Sequence, residues 1–151
     1  GIFLSFITSR FEEVIAKNIA VAFFIPFIVY LADAVGTQTQ SIYIRDLRTG
    51  RASFKKYLIK ESLLGLAIGL IFSLFSAIVI MLWFKSAALT LTVGLSIFIA
   101  VLAAPPIALV ITEIMSLNKR DPASGAGPIA TIIQDVVTVL IYGFIASAII
   151  L

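Results

Sequence analysis

The chain has 151 residues, of which 61% are hydrophobic and only 13% charged, with a net charge of +3. Ordinary soluble domains are about 45–50% apolar and about 25% charged, so this composition lacks the polar surface of a soluble globule and indicates an integral membrane protein. With no cysteine and no histidine, disulfides, zinc sites and imidazole acid–base work are excluded together, and any metal must be held by oxygen, which suits hard cations.

Residues 1–9 begin GIFLSFIT. They are apolar but far short of the about 20 residues that cross a bilayer, and they read as the end of a first helix whose start lies upstream. SRFEEVIAKN, residues 9–18, is expected as an interfacial connection. A second span is expected over 19–44, kinked at Pro26 and thinned at Gly36. A basic loop, 45–60, carries Arg45, Arg48, Arg51, Lys55, Lys56 and Lys60. The third span, 62–84, holds Gly65 and Gly69, a small-xxx-small pair that favours close helix packing, and it ends on Trp83 and Phe84 at the level of an aromatic belt. After a turn at KSA, a fourth span is expected over 87–112, broken by Pro105 and Pro106. NKRDPASGAGP, 118–128, reads as a loop on composition, and a fifth span follows over 129–151. The whole, 1–151, is expected to be one all-α integral membrane domain, a five-helix transmembrane bundle with its first helix only partly present.

Charge orients the bundle. Loops 45–60 and 118–128 hold eight of the eleven basic residues. By the positive-inside rule they are cytoplasmic in a multi-pass protein of the plasma membrane. The basic residues flank apolar spans, so bilayer topology accounts for them and no nucleic acid is implied. Glu61 and Glu113 fall near the cytoplasmic span ends and read as solvated interfacial groups or a pore mouth.

Two carboxylates, Asp33 and Asp135, lie inside spans, where a charge costs roughly 2.5–3.5 kcal/mol at the helix centre on insertion scales. No lysine or arginine occurs mid-span to pair with them. Asp33, Thr37 and Gln40 follow i, i+4, i+7 and share a helix face, with Gly36 beside them and Gln38 close by. Thr131, Asp135, Thr138 and Tyr142 form a second stripe, with Gln134 next to it. Two acid-bearing stripes lining one aqueous path would attract a divalent cation. Magnesium sheds water reluctantly and suits a site of few carboxylates. The alternatives are local: Thr131 and Thr138 bonding their own backbone, Gln38 and Gln40 acting as interhelical glue. No HExxH, GxSxG or P-loop occurs, and neither aspartate has the GxGD setting of an intramembrane protease, so an enzyme is not indicated.

The segment FFIPFIVYLADAVGTQTQSIYIRDL resembles the second transmembrane helix of MgtE-type magnesium transporters, where a proline leads to a GGNxGNQ segment and then an arginine; Pro26, Gly36, Gln38 and Arg45 fall in matching places. KRDPASGAGPIATIIQD resembles the opening of that family's last helix, with Asp121, Pro122, Ala123, Pro128 and Asp135 matching. The resemblance implies a homodimer with five helices per subunit, a cation pore at the subunit interface, and Mg2+ as the transported ion. It makes Asp135 the central pore ligand, helped by a backbone carbonyl at Thr131. It also implies an upstream cytosolic regulatory domain. Departures concentrate at Ala32, Asp33, Ala34 and Thr37, which stand for glycines and asparagines, and at Gly127, which stands for an asparagine.

The expected function is a divalent cation channel or transporter, most simply for magnesium. The metal ligands are Asp135, Thr131 and Asp33, and the pore-lining residues are Thr37, Gln40, Gln38, Gly36, Gln134 and Thr138. Pro26, Pro105 and Pro106 are expected as helix bends. A proton- or sodium-coupled secondary transporter and a non-transporting membrane assembly subunit are the alternatives.

Overall fold

The computed structural model describes all residues from 1 to 151 and is entirely helical. The elements are α1 (Ile2–Ser9), α2 (Glu12–Lys17), α3 (Ala20–Arg48), α4 (Phe54–Phe84), α5 (Ala87–Leu117) and α6 (Pro122–Ile150). Helices α3 to α6 are long and apolar enough to cross a membrane. The 29 to 31 residues of each exceed the about 20 needed to cross a bilayer, and the basic residues Arg45, Arg48, Lys55, Lys56 and Lys60 gather at one end, the basic end.

That excess corrects several boundaries. Lys55, Lys56 and Lys60 lie on the first turns of α4, not in a loop, so the connection after α3 shrinks to residues 49–53, with Gly50 turning at φ 68°. The segment expected as loop 118–128 is mostly helix. Asp121 caps α6, accepting from the Ala123 N–H at 3.1 Å, and Pro122 takes the first helical position, where its missing N–H costs nothing. The interfacial connection 9–18 contains the short α2.

Helix α5 is the hub. Thirteen of its residues are buried, and it packs along α3, α4 and α6. It also runs unbroken from Ala87 to Leu117 through Pro105 and Pro106, where the sequence suggests a break. A proline removes the hydrogen bond to the carbonyl four residues back. The freed carbonyl of Val101 faces the bare Cα of Gly65, where a Cβ would sit 3.2 Å from that oxygen and 3.0 Å from the Pro105 ring. One turn on, a Cβ on Gly69 would meet the Phe98 carbonyl at 3.1 Å. The glycine pair therefore lets α4 approach α5 backbone to backbone. Ser73 continues the seam by donating to the Gly94 carbonyl at 2.7 Å.

The outer surface of α4 carries Leu63, Leu70, Ile71, Leu74, Phe75, Ile78 and Leu82, all exposed. This is the dress of a lipid-facing helix. Trp83 and Phe84 close its non-basic end, and Phe84 stacks edge-on against Phe24 at 5.6 Å.

Candidate functional site

Helices α3 and α6 run antiparallel, and three contacts fix their register. A Cβ on Gly127 would lie 3.7 Å from Gln40 Oε1. Thr131 Oγ1 donates to Asp33 Oδ1 at 3.0 Å. The Tyr142 hydroxyl donates to the Val21 carbonyl at 2.7 Å. Each step down α3 is thus matched by a step up α6. Asp135 then sits one turn, about 6 Å, beyond Thr131 along α6, toward the non-basic end.

A small cavity lies between these helices and α5. Asp33, Thr37 and Gln40 line it from α3, and Thr131 and Gln134 line it from α6. The stripe expected at 33, 37 and 40 is therefore one wall, and it meets the second stripe through Thr131. Gly36 is buried there against Ala104 of α5, with 3.6 Å from an added Cβ to the Ala104 carbonyl. Thr131 spends its hydroxyl on Asp33 and not on its own backbone. Gln134, 3% exposed, donates its amide to Thr138 at 3.2 Å, and its Oε1 has no partner.

Asp135 does not line this cavity; it lies half-buried one turn along α6 from Thr131, on the same side of the helix. No basic side chain approaches either aspartate. The three ion pairs of the chain are Arg45–Asp46, Arg48–Asp121 and Lys60–Glu61, all toward the basic end. Nor do three acidic side chains converge anywhere. One chain thus offers single carboxylates backed by amide and hydroxyl oxygens.

Gln38 falls on a different face from Gln40. Phe23, Phe27 and Tyr30 form the outer stripe of α3 near its start, and Ala34, Thr37, Gln38 and Ser41 continue it, all exposed. The stripe therefore changes from aromatic to polar halfway along a membrane span. Hydrocarbon does not solvate amides and hydroxyls, so the polar half faces water or protein. Pro26 is also exposed, and α3 is continuous through it.

Sequence reasoning misses Glu61. Expected at a solvated span end, it is 1% exposed between helices. Its Oε2 accepts from Thr39 at 3.1 Å, and its Oε1 has no hydrogen-bond donor, only the Lys60 ammonium at 3.7 Å. One turn along α3, Tyr43 donates to Glu113 Oε2 at 2.5 Å, and Gln40 reaches Thr112 at 3.3 Å. Thr39 and Tyr43 share an α3 face, a spacing that could have signalled two paired acids. What the sequence lacks is any sign that α4 and α5 bring glutamates to that face.

Against known proteins, the family model MgtE, described as divalent cation transporter, matches residues 25–145. The chain is 30% identical to the magnesium transporter MgtE of Bacillus subtilis over 151 aligned positions, which cover 98% of this chain and 34% of that protein. It is 29% identical to the magnesium transporter MgtE of Enterococcus faecalis, covering 97% and 33%, and 28% identical to that of Thermus thermophilus, covering 94% and 32%. The chain spans about a third of the length of these curated relatives.

Proposed function

The chain belongs to the MgtE family of divalent cation transporters, and from that premise we propose that it conducts magnesium across the plasma membrane along a path bordered by α3 and α6. The family is one of transporters, which agrees with the absence of any catalytic motif in the sequence. The observation that carries the proposal is the pairing of two acid-bearing helix faces through Thr131 and Asp33, with no basic partner for either aspartate. In a bilayer an unpaired carboxylate belongs beside water or a cation.

Asp135 is the principal ligand. It stands outside the narrow cavity, which is too small for an ion that keeps most of its water. Asp33 draws cations toward the same helix pair. The polar half of the outer α3 stripe, at Thr37, Gln38 and Ser41, supports a second copy of the chain as the partner that closes the path. A homodimer would bring two copies of Asp135 to one ion. Inward flow follows the membrane potential, which contributes about 2.3 kcal/mol per elementary charge per 100 mV. The basic end, with Arg45, Arg48 and the first turns of α4, is the cytoplasmic side on which a regulatory domain would act.

Magnesium flux into proteoliposomes tests this reading, with competing manganese, cobalt and calcium. Asp135→Ala is expected to abolish flux while the protein still inserts and assembles. Flux that survives this change sinks the assignment. Flux that ignores pH and tracks voltage separates a channel from a proton-coupled carrier.

A further inference from the structure

We propose that the cavity between α3, α5 and α6 is a separate binding site for one monovalent cation of the sodium class, held without its hydration shell. Three observations lead there. The first is size. The cavity offers about 10 Å3 to the centre of a water-sized particle, which is room for one water or one bare ion. Magnesium, which keeps several waters, does not fit.

The second is the direction of the hydrogen bonds. Gln40 gives its Nε2 to Thr112, Gln134 gives its Nε2 to Thr138, and Thr131 gives its hydroxyl hydrogen to Asp33. These bonds spend donors of the lining side chains and leave acceptors among them: the Asp33 carboxylate, the Thr131 lone pairs and Gln134 Oε1. Gln134 Oε1 is the decisive atom, because it belongs to a side chain 97% buried and has no partner at all. A buried acceptor without a donor costs roughly 1–3 kcal/mol, and a cation on the cavity side satisfies it.

The third is charge. Asp33 is the only charged group lining the cavity. One carboxylate balances one positive charge; a divalent ion would leave one charge without a partner in a cavity whose other walls are uncharged. Bound there, the cation would neutralise Asp33 and hold α3 against α6, one turn from Asp135. The site shares Asp33 with the path proposed above but takes a different ion, and the conduction reading stands on Asp135, so either reading can fail alone.

Equilibrium binding of radioactive sodium to the purified chain, in choline buffer, tests the inference. Wild type and Asp121→Asn, which loses a carboxylate far from the cavity, are expected to bind one sodium per chain. Asp33→Asn should remove saturable binding, and Gln134→Leu should weaken it at least about tenfold. Gln134→Glu, with two carboxylates, should shift preference so that calcium displaces sodium. Thermal melting followed through Trp83 identifies any variant that has not folded, and Gln134→Glu then decides alone. Absence of saturable sodium binding in wild type, full binding in Asp33→Asn, or unchanged preference in Gln134→Glu would each overturn the site and leave a cavity that holds water only. Magnesium flux through Asp135 variants is read separately, and its failure would not affect these outcomes.

Discussion

Thr131 on α6 donates a 3.0 Å hydrogen bond to Oδ1 of Asp33 on α3, and this single bond joins the two helix faces that carry the mid-span carboxylates. Interhelical hydrogen bonds in membranes average about 0.6 kcal/mol and reach about 1.7. Thr131→Val keeps the shape and removes the donor. It is expected to destabilise the chain by an amount in that range, with a coupling of similar size to Asp33→Ala in a double-mutant cycle. Unfolding in detergent, followed through the one tryptophan, Trp83, measures it. A coupling near zero would mean that the bond does not organise the pair.

The α4–α5 seam depends on Gly65. A Cβ there would press on Pro105 at 3.0 Å and on the Val101 carbonyl at 3.2 Å. Neither neighbour is a flexible side-chain end: one is a ring fixed to the backbone, the other the backbone itself. Gly65→Val is therefore expected to cost about 1–3 kcal/mol, as overpacking does, and Gly65→Ala less. Gly94→Ala is the comparison, since its added Cβ would meet Ser73 only at 3.5 Å. The melting temperatures of Gly65→Val, Gly65→Ala and Gly94→Ala should rise in that order, with Gly65→Val lowest. Equal melting of the Gly65 and Gly94 variants would contradict the close approach.

The four long apolar helices, the Gly65–Gly69 contact and the shared 33–37–40 face are legible from the sequence because they follow from local rules: apolar length, residue size and helical period. Helix ends are not. Lys55 and Lys56 look like loop residues, yet a helix that has left the bilayer is solvated at no cost, so α4 simply starts earlier. Nor does the sequence reveal that α5 continues through Pro105 and Pro106. That depends on α4 presenting a glycine opposite the freed carbonyl, which is a tertiary fact. The cavity joins residues of three helices, and the separation of Gln38 from Gln40 onto different faces depends on how α3 is rotated in the bundle. Period alone groups residues on a face without saying which face turns inward.

Glu61 gives the sharpest case of such missing information, and it makes a test. Its carboxyl is buried, held by Thr39 at 3.1 Å, with the other oxygen lacking a donor. Removing the donor to a buried carboxyl costs about 1.5–3 kcal/mol, whereas a threonine hydroxyl that loses its acceptor can turn to the carbonyl four residues back in its own helix. Thr39→Val is therefore expected to destabilise by about 1.5–3 kcal/mol. Glu61→Leu should cost less than Thr39→Val, and in the Glu61→Leu background Thr39→Val should cost little. If Thr39→Val is equally harmful with and without Glu61, the bond is not the reason Thr39 matters.

The approach of α1 and α2 to the bundle rests on Gly143. The ring of Phe11, at the junction of α1 and α2, occupies the space that a Cβ on Gly143 would fill, and it stacks edge-on against Phe144 at 5.6 Å. Gly143→Ala must push that ring off α6. Phe11 is only half-buried and sits on a short segment, so the cost should fall on docking and not on the four long helices. Arg10 and Lys17 flank the contact and are exposed, which supplies a readout. Trypsin is expected to cut after Arg10 and Lys17 several-fold faster in Gly143→Ala than in wild type, while the Trp83 melting transition of the bundle stays where it was. Gly143→Ala paired with Phe11→Ala separates the causes. Removing the ring relieves the clash but also the stacking, so cleavage should remain fast and the bundle transition unchanged. Unchanged proteolysis in Gly143→Ala would mean that the Phe11 ring has another seat of equal stability on α6.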